Sequence, residues 1–273
     1  MITIYDKVSY KASKTTTLAY STSFSLGIKV FHRRFHAPIY AIYGFVRLAD
    51  EIVDTFHDHD KVALLARFRE DTFRAIDEKI GLNPILHSFQ DTVHRYNIEP
   101  DLVDTFLQSM EMDLSKKEYD EAGYKQYILG SAEVVGLMCL RVFLDGEEAR
   151  YQQLKPHAMS LGSAFQKINF LRDLRADYHK LGRTYFPDVD IRSFTLEDKK
   201  RIEADIEQDF RHAAEGIARL PRGVRLGVRL AYIYYLALFR KIRRLSPQVI
   251  LDKRVRIPNS QKYMLLISTY LKN

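Results

Sequence analysis

The stretch "AIYGFVRLADEIVD", residues 41–54, places one arginine and three acidic residues inside an otherwise apolar segment with helical spacing. On a helical wheel with about 100° per residue, four of its polar side chains fall within about 60° of one another: Tyr43, Arg47, Asp50 and Asp54. Apolar residues such as Val46 occupy the adjoining sector, so the acids border the buried face of the helix. That position suits the wall of an internal cavity.

The spacing of Asp50 and Asp54 has two interpretations. Carboxylates at positions i and i+4 lie about 6 Å apart and repel, which costs a few tenths of a kcal/mol on an exposed helix and more where water is scarce. Arg47 could neutralise one of them, so an ordinary amphipathic helix with an acidic edge would explain this segment alone. A functional interpretation needs a second motif.

The same pattern returns in "AFQKINFLRDLRADYHKLGRTYFP", residues 164–187. Five residues share one stripe of this predicted helix: Gly162, Gln166, Asn169, Asp173 and Asp177. Lys167, Arg172 and Arg175 lie off the stripe instead of pairing along it. A solvated helix face would favour Glu and Lys over Gln, Asn and Asp, because the latter have equal or poorer helix propensity.

Two helices that each present Asp-x-x-x-Asp inward supply four hard oxygen donors, to which an amide pair adds more. This donor set indicates Mg²⁺, with Mn²⁺ as an alternative. Magnesium prefers a few carboxylates, retained waters and substrate phosphate oxygens, so an anionic phosphorylated ligand is implied. Zinc fits badly, because no His or Cys accompanies these acids at ligand spacing.

The sequence as a whole predicts an all-α protein with a single domain over residues 1–273. Long stretches are rich in Leu, Ala, Glu, Lys and Arg, and no run of alternating β-branched residues interrupts them. Thr195 followed by Asp198 resembles a capping box, and Gly182 is placed to end the preceding helix. We expect eight to ten helices, over residues 8–30, 38–56, 59–80, 84–95, 99–112, 121–143, 147–181, 196–219, 222–245 and 259–271.

Charge and cysteine content narrow the functional class. A net charge of +7 suits an anionic partner, such as a phosphorylated small molecule or an anionic membrane surface. Nucleic acid is not expected, because zinc-finger spacing, RNP-like motifs and an isolated basic tail are all missing. Cys139 is the single cysteine of the sequence, so no internal disulfide can form and a reducing compartment is indicated. Its apolar neighbours indicate a small core residue. With no hydrophobic secretory core at its start, the chain is predicted to be cytoplasmic, either soluble or peripheral at the inner face of the membrane.

With both acidic stripes in view, the chain resembles the squalene and phytoene synthase family, most closely the bacterial phytoene synthases. The matching motifs, in the family's order, are "YSTSF" (20–24), "AIYGFVRLADEIVD" (41–54), "YILGSAEVVGLM" (127–138), "FQKINFLRDLRADYHKLGRTYFP" (165–187) and "YYLALFRKI" (234–242). The resemblance implies an all-α isoprenoid-synthase fold around a central cavity. It also implies two facing aspartate-rich motifs that hold Mg²⁺.

Residue roles follow from the same resemblance. Asp50 and Asp54 match the first motif, Asp173 and Asp177 the second, with Asn169 as a further metal ligand and Gln166 on the same helix; Glu51 stands where the family commonly has Asp. Positions that contact the diphosphate or the reacting ends are matched by Ser21, Ser23, Arg47, Arg172 and Tyr235. Arg254 and Lys262 resemble the C-terminal basic contacts. Ile28 and Tyr40 are our candidates for the cavity floor that sets chain length.

The implied reaction joins two prenyl diphosphates head to head, and phytoene formation from geranylgeranyl diphosphate is the favoured version. No nucleotide fingerprint such as GxGxxG is visible, so NADPH is not expected. A squalene, dehydrosqualene or presqualene diphosphate synthase that uses farnesyl diphosphate is the alternative. A non-catalytic helical relative that acts as a binding or assembly protein is a second alternative, but its signature would be loss of the aspartates.

Overall fold

The computed structural model describes residues 3–116, 118–176, 184–252 and 254–258, without the side chains of residues 22–24. Its twelve α-helices in these ranges are α1 (Ile4–Tyr20), α2 (Thr22–Val30), α3 (His36–Asp54), α4 (Lys61–Glu78), α5 (Pro84–Tyr96), α6 (Pro100–Ser115), α7 (Glu121–Ile128), α8 (Val134–Leu144), α9 (Glu148–Ala176), α10 (Leu196–Arg219), α11 (Arg222–Arg243) and α12 (Pro247–Asp252). Short 3₁₀ turns cover Arg33–Phe35 and Ile191–Ser193. The all-α prediction is confirmed, and helices α3 to α6, α10 and α11 match their predicted ranges to within about three residues.

The predicted helix over residues 8–30 differs from the structure, which has two helices there. Ser21 adopts an extended conformation, with φ −140° and ψ 106°, and ends α1. The hydroxyl of Ser25 donates to the Ser21 carbonyl oxygen, which satisfies an acceptor at the break. The chain therefore changes direction at Ser21, beside the cavity described below.

The predicted helix over 121–143 is continuous in direction but not in winding. A π-helical turn, Leu129–Glu133, joins α7 to α8. By length and composition this combined stretch, Glu121–Leu144, is the one helix of the described ranges that could cross a bilayer. It is weak evidence for a membrane span, because 56% of its most apolar window is buried within the protein and core helices pass the same test.

Helix ends in the second half follow their capping signals. The Thr195 hydroxyl accepts from the backbone N–H of Asp198, and the Asp198 carboxylate accepts from the backbone N–H of Thr195, which confirms the capping box of α10. Helix α12 was not predicted. Gly182, the end of the helix predicted over 147–181 and the helix predicted over 259–271 lie outside the described residues.

Two apolar cores hold the helices together. In the first, Phe45 of α3 stacks on Phe89 of α5 with ring centroids 3.9 Å apart. In the second, Phe170 of α9 stacks on Tyr185 at 4.1 Å. Helices α2, α3 and α8 contribute to the first core, and α9, α10 and α11 to the second. A long cavity is lined by residues of these same helices, so it lies between the two cores.

Helix α1 packs on the first core through small polar residues. Ser9, Ser13 and Thr17 are fully buried. The hydroxyls of Ser13 and Ser88 are 2.7 Å apart, and a Cβ added to Gly44 would lie 2.8 Å from the Ser13 hydroxyl. The close approach of α1 to α3 therefore depends on small side chains on both helices, and the apolar residues of α1 lie elsewhere.

Candidate active site

A cavity of about 450 Å³ opens between α2, α3, α8, α9, α10 and α11. Its apolar lining includes Phe31, Ile39, Leu140, Phe143, Leu154 and Leu220. Polar side chains enter the lining from Ser21, Gln166 and Arg172. Lining residues run from Leu154 to Arg172 along α9, about 27 Å of helix. The cavity is therefore long and mostly apolar, and polar groups enter it at the end of α1, from Ser21, and from α9, through Gln166 and Arg172.

The first stripe holds its acids around one arginine. Arg47 donates to the Glu51 carboxylate at 2.5 Å and its Nη1 lies 3.5 Å from Asp50. Its guanidinium also lies over the Tyr20 ring at 4.3 Å. The Nε–H of Arg47 is a buried donor without a hydrogen-bond acceptor among the described residues. An anionic ligand oxygen would satisfy this donor.

Asp50 is the most perturbed acid of this stripe. Burial of its carboxyl, followed by the negative charge of Asp54, raises its pKa to about 7, and Arg47 only partly opposes this. Asp113 and Glu51 raise it further. The carboxyl groups of Asp50, Glu51, Asp54 and Asp113 are therefore close enough to influence one another. The Asp50 side chain is still 36% accessible, so a ligand can reach it. A bound cation would relieve the repulsion among these carboxyl groups.

The second stripe is neutralised differently, which corrects the expectation that Arg172 lies off the stripe without pairing along it. Nε and Nη2 of Arg172 both donate hydrogen bonds to the Asp173 carboxylate, at 2.5 to 3.1 Å. Arg254 approaches the same carboxylate from the C-terminal segment, with Nε 2.6 Å from Oδ1 and Nη2 3.2 Å from Oδ2. Asp173 therefore lies between two guanidinium groups. Asp177 lies outside the described residues.

Tyr235 of α11 contacts two residues of α9 beside the second stripe. Its hydroxyl donates to the Asn169 side-chain oxygen at 3.3 Å, and its ring stacks on Phe165 at 3.9 Å. Burial raises the pKa of Tyr235, with Arg172 opposing and Tyr43 of the first stripe adding to it. The phenol therefore stays protonated at neutral pH and acts as a donor. Of the helix that carries the first stripe, Ile39 and Val46 line the cavity, and Tyr43 lies within electrostatic reach of Tyr235.

A hydrogen-bond chain that the sequence did not suggest supports Gln166. The Gln166 amide donates to the Ser131 hydroxyl at 3.3 Å, and Ser131 donates to the Tyr127 carbonyl at 2.7 Å. The Tyr127 phenol donates to buried Asp113 at 2.8 Å. The charge of Asp113 is also one of the causes that raise the pKa of Asp50, which places Asp113 near the first stripe. Residues Tyr127 and Ser131 lie in the quoted motif "YILGSAEVVGLM", but a π-helical turn cannot be predicted from apolar periodicity.

The remaining predicted residues divide into three groups. Ser21 and Ile28 line the cavity. Tyr40 does not: its ring lies against His36 and below the Lys14 ammonium group, and Ile39 lines the cavity instead. Ile39 and Tyr40 are both buried, and the role predicted for Ile28 and Tyr40 in setting chain length stays a prediction. The Ser23 side chain and Lys262 lie outside the described residues.

Cys139 also lines the cavity rather than filling the core alone. Burial raises its pKa to about 12, so it remains an uncharged thiol and adds to the apolar wall.

A second cavity, of about 660 Å³, lies on another face of α9 and shares no lining residue with the first. Lys167, only 9% exposed, lies 2.6 Å from Asp205 and 2.8 Å from Asp209. Burial, together with the charge of Asp209, raises the pKa of Glu133 to about 7, and Lys167 opposes this. The charge of Lys167 is thus used to neutralise acids of α10, which explains why it does not pair along the α9 stripe.

A divalent cation fits the first stripe better than the second. Within the described part of the chain, no three His, Cys, Asp or Glu side chains converge closely enough to bind a metal by themselves. Magnesium needs fewer protein ligands when it keeps waters and shares phosphate oxygens. The raised pKa of Asp50 beside Asp54 marks a place where a cation would be stabilising. At Asp173 a cation must either displace the two arginines or share the carboxylate with them.

Comparisons with known proteins identify the family of the chain. The chain is 26% identical over 285 residues to "Phytoene synthase" of Arthrospira platensis, covering 94% of this chain and 91% of that protein. It is also 26% identical over 241 residues to "Presqualene diphosphate synthase" of Rhodopseudomonas palustris, covering 82% and 84%. A crystal structure of a dehydrosqualene synthase superposes with a TM-score of 0.83 at 20% identity, over 98% of each chain. Since the squalene/phytoene synthase family model matches residues 17–261, the chain belongs to the squalene/phytoene synthase family.

Proposed function

We propose that this protein condenses two molecules of geranylgeranyl diphosphate head to head into phytoene, the first step of carotenoid biosynthesis, with Mg²⁺ or Mn²⁺ as cofactor. Family membership makes the chain a prenyltransferase. The observation that carries the proposal is the long apolar cavity of about 450 Å³ whose lining includes Gln166 and Arg172 of the helix with the second stripe and Val46 of the helix with the first. An apolar chain with an anionic head is the kind of ligand that such a site suits.

The diphosphate group would bind where the arginines and acids alternate. Arg47 offers an unsatisfied Nε–H, and Arg172 and Arg254 can move from Asp173 to phosphate oxygens, which are stronger acceptors. Asp50, Asp54, Asn169 and Asp173 would hold the metal together with Asp177. When bound there, Mg²⁺ supplies Lewis-acid stabilisation of the negative charge that develops on the departing diphosphate.

The reaction then begins with ionisation. The C1–O bond of one substrate breaks, and the diphosphate leaves with the electron pair. The double bond of the second substrate attacks the allyl cation, and loss of a proton closes the cyclopropane ring of prephytoene diphosphate. A second ionisation, rearrangement and loss of a second proton give phytoene, so two diphosphates and two protons are released for each hydrocarbon.

The chain's own residues protect these cations. The apolar lining excludes water, which would otherwise capture the allyl cation as an alcohol. Phe165 and Tyr235 stack at 3.9 Å, and the Tyr234 ring meets Tyr235 edge-on at 5.5 Å. All three line the cavity, and their π faces can stabilise a passing carbocation in the way they stabilise other cations. The Tyr235 hydrogen bond to Asn169 keeps that ring in place.

Farnesyl diphosphate is the alternative substrate, with squalene, dehydrosqualene or presqualene diphosphate as the product. The specific observation in its favour is that the presqualene diphosphate synthase relative is as similar in identity as the phytoene synthase relative. Because phytoene formation ends with proton loss rather than hydride transfer, we expect no requirement for NADPH. We place the reaction in the cytoplasm or at the inner face of the membrane.

The test is product analysis by mass spectrometry after incubation with Mg²⁺ and either geranylgeranyl or farnesyl diphosphate, with and without NADPH, beside tubes with EDTA. We expect a forty-carbon hydrocarbon with a central triene from geranylgeranyl diphosphate, independent of NADPH and lost with EDTA. A thirty-carbon product from farnesyl diphosphate alone would establish the alternative. Absence of product from either substrate would favour a non-catalytic binding or assembly role.

A further inference from the structure

Helix α1 turns its apolar residues outward, which reverses the usual arrangement of a surface helix. Three large aliphatic side chains are exposed: Ile4 by 81%, Val8 by 51% and Leu18 by 42%. The opposite face is fully buried although it carries Ser9, Ser13 and Thr17. Since burial of apolar side chains is favourable and these remain uncovered within the chain, the outward face of α1 is suited to an external apolar partner.

The loop after α4 extends this apolar surface. Ile80 is 51% exposed and Leu82 is 96% exposed. Between them, the carbonyl oxygen of Gly81 accepts a hydrogen bond of 2.5 Å from the Tyr5 hydroxyl, which holds the loop against the first turn of α1. We call the five exposed residues Ile4, Val8, Leu18, Ile80 and Leu82 the α1 face. Ile4 and Val8 lie near this loop and Leu18 lies in the last turn of α1, so the α1 face runs along the helix and is larger than a single exposed side chain.

The charges on α1 select the kind of partner. Lys7, Lys11 and Lys14 are exposed. The one acid of the helix, Asp6, is occupied by His87 at 2.8 Å and by the backbone N–H of Thr3 at 2.6 Å. Lysines that flank exposed apolar residues on one helix match a surface of anionic headgroups over acyl chains. A symmetric contact between two copies of this face would instead place lysines opposite lysines.

The α1 face also leads to the candidate active site. Helix α1 ends at Tyr20, whose ring lies 4.3 Å from the Arg47 guanidinium, and the next residue, Ser21, lines the cavity. We propose that the α1 face docks the protein on an anionic lipid bilayer. The purpose of this docking rests on the proposed function, because a prenyl diphosphate could then pass from the bilayer to the cavity over a short path. The docking itself requires no catalysis.

The chain contains no tryptophan, so a single introduced tryptophan reports its own surroundings without background. Val8→Trp probes the α1 face, and Leu196→Trp is the matched control, since Leu196 is 53% exposed in the first turn of α10. On vesicles of phosphatidylcholine and phosphatidylglycerol, we expect a blue-shifted emission and quenching by brominated acyl chains for Val8→Trp only. Unshifted emission from Val8→Trp, or an equal shift from Leu196→Trp, would overturn the proposal.

Cosedimentation with the same vesicles measures the contribution of each group. Replacing Lys7 and Lys11 together by Gln should weaken binding about 25-fold, since each lysine near an anionic surface contributes about fivefold. Replacing Ile4 and Val8 by Asn should weaken it about tenfold or more. The control Val62→Asn, at a residue 66% exposed on α4, should bind like the unchanged protein. Equal losses in the control, or no loss in either double variant, would contradict docking through α1.

Failure of docking and failure of the proposed function are separable. Product formation from detergent-dispersed geranylgeranyl diphosphate should be unchanged in the Ile4 and Val8 variant, because neither residue lines the cavity. Vesicle binding without any hydrocarbon product would retain the docking proposal and reject the proposed function. Hydrocarbon production without vesicle binding would do the reverse.

Discussion

Replacing Asp54 by Asn should lower the pKa of Asp50, which burial and the neighbouring negative charges raise to about 7. Carboxylates one helical turn apart lie about 6 Å from each other and repel by about 3 kcal/mol at an effective dielectric constant of about 20. That energy corresponds to about two pKa units. Since 36% of the Asp50 side chain is accessible, solvent screening reduces the effect, and we expect a fall of about one unit.

The Arg47→Gln variant and the pH dependence of stability both test the direction in which the pKa of Asp50 is shifted. Arg47 lies 3.5 Å from Asp50 and lowers its pKa, so Arg47→Gln should raise the pKa of Asp50 where Asp54→Asn lowers it. The folded-state pKa of Asp50 exceeds the value near 3.9 expected in the unfolded chain. The folded protein therefore binds the proton more tightly, and this group makes the metal-free protein less stable as pH rises from about 4 to 7. That loss should be smaller in Asp54→Asn.

The assay is a carboxyl ¹³C NMR titration of aspartate-labelled protein in metal-free buffer. The Asp50 resonance is identified by its disappearance in Asp50→Asn. A midpoint for Asp50 that is unchanged or raised in Asp54→Asn would refute the electrostatic coupling between the two carboxylates. An ordinary midpoint near 4 in the unchanged protein would refute the buried, cation-attracting site itself.

Three further substitutions test packing, buried charge and cavity depth. Gly227→Ala would place a Cβ 2.8 Å from the carbonyl oxygen of Gly27 and against the Phe31 ring, so the free energy of unfolding in urea should fall by about 1 to 3 kcal/mol. Gly27→Ala is the tolerated control, because its Cβ would lie 3.8 Å from the nearest atom. Equal stability of the two variants would contradict the close packing of α2 on α11. Lys167→Met should lower the free energy of unfolding by about 3 kcal/mol at neutral pH, because it leaves Asp209 without its cation. The loss should shrink on acidification, because the pKa of Asp209, already raised by burial, would rise further. Full stability of the variant at neutral pH would contradict this. Ile28→Phe should shorten the cavity and favour fifteen-carbon over twenty-carbon substrates in a competition assay, and the same product at an unchanged rate would exclude Ile28 from setting chain length.

Much of the helical framework could be predicted because long helices repeat their apolar residues at a fixed period. The break at Ser21 could not be predicted, because "YSTSF" (20–24) contains neither proline nor glycine and the residues on both sides continue the helical pattern. The π-helical turn at Leu129–Glu133 was equally hidden, because one inserted residue shifts the apolar face without interrupting it. Both irregularities border the cavity, where local rules are overridden by the shape of the site.

The candidate site was predictable in its residue types more than in its contacts. Asp50 and Asp173 were identified from a repeated stripe, but their different partners depend on tertiary structure. Arg254 reaches Asp173 from a position 81 residues along the chain, and no local pattern encodes that contact. Asp113 acts on Asp50 from another helix, and it was missed for the same reason.

The proposed function is tested most directly by the turnover of geranylgeranyl diphosphate with Mg²⁺ in the unchanged protein, Asp50→Asn and Asp173→Asn. Helix content by circular dichroism should be the same in all three. The unchanged protein should release two diphosphates for each forty-carbon hydrocarbon, and each variant should lose activity by about 100-fold to 1,000-fold. Retained turnover in both correctly folded variants would contradict the role of the two acidic stripes in ionising the substrate.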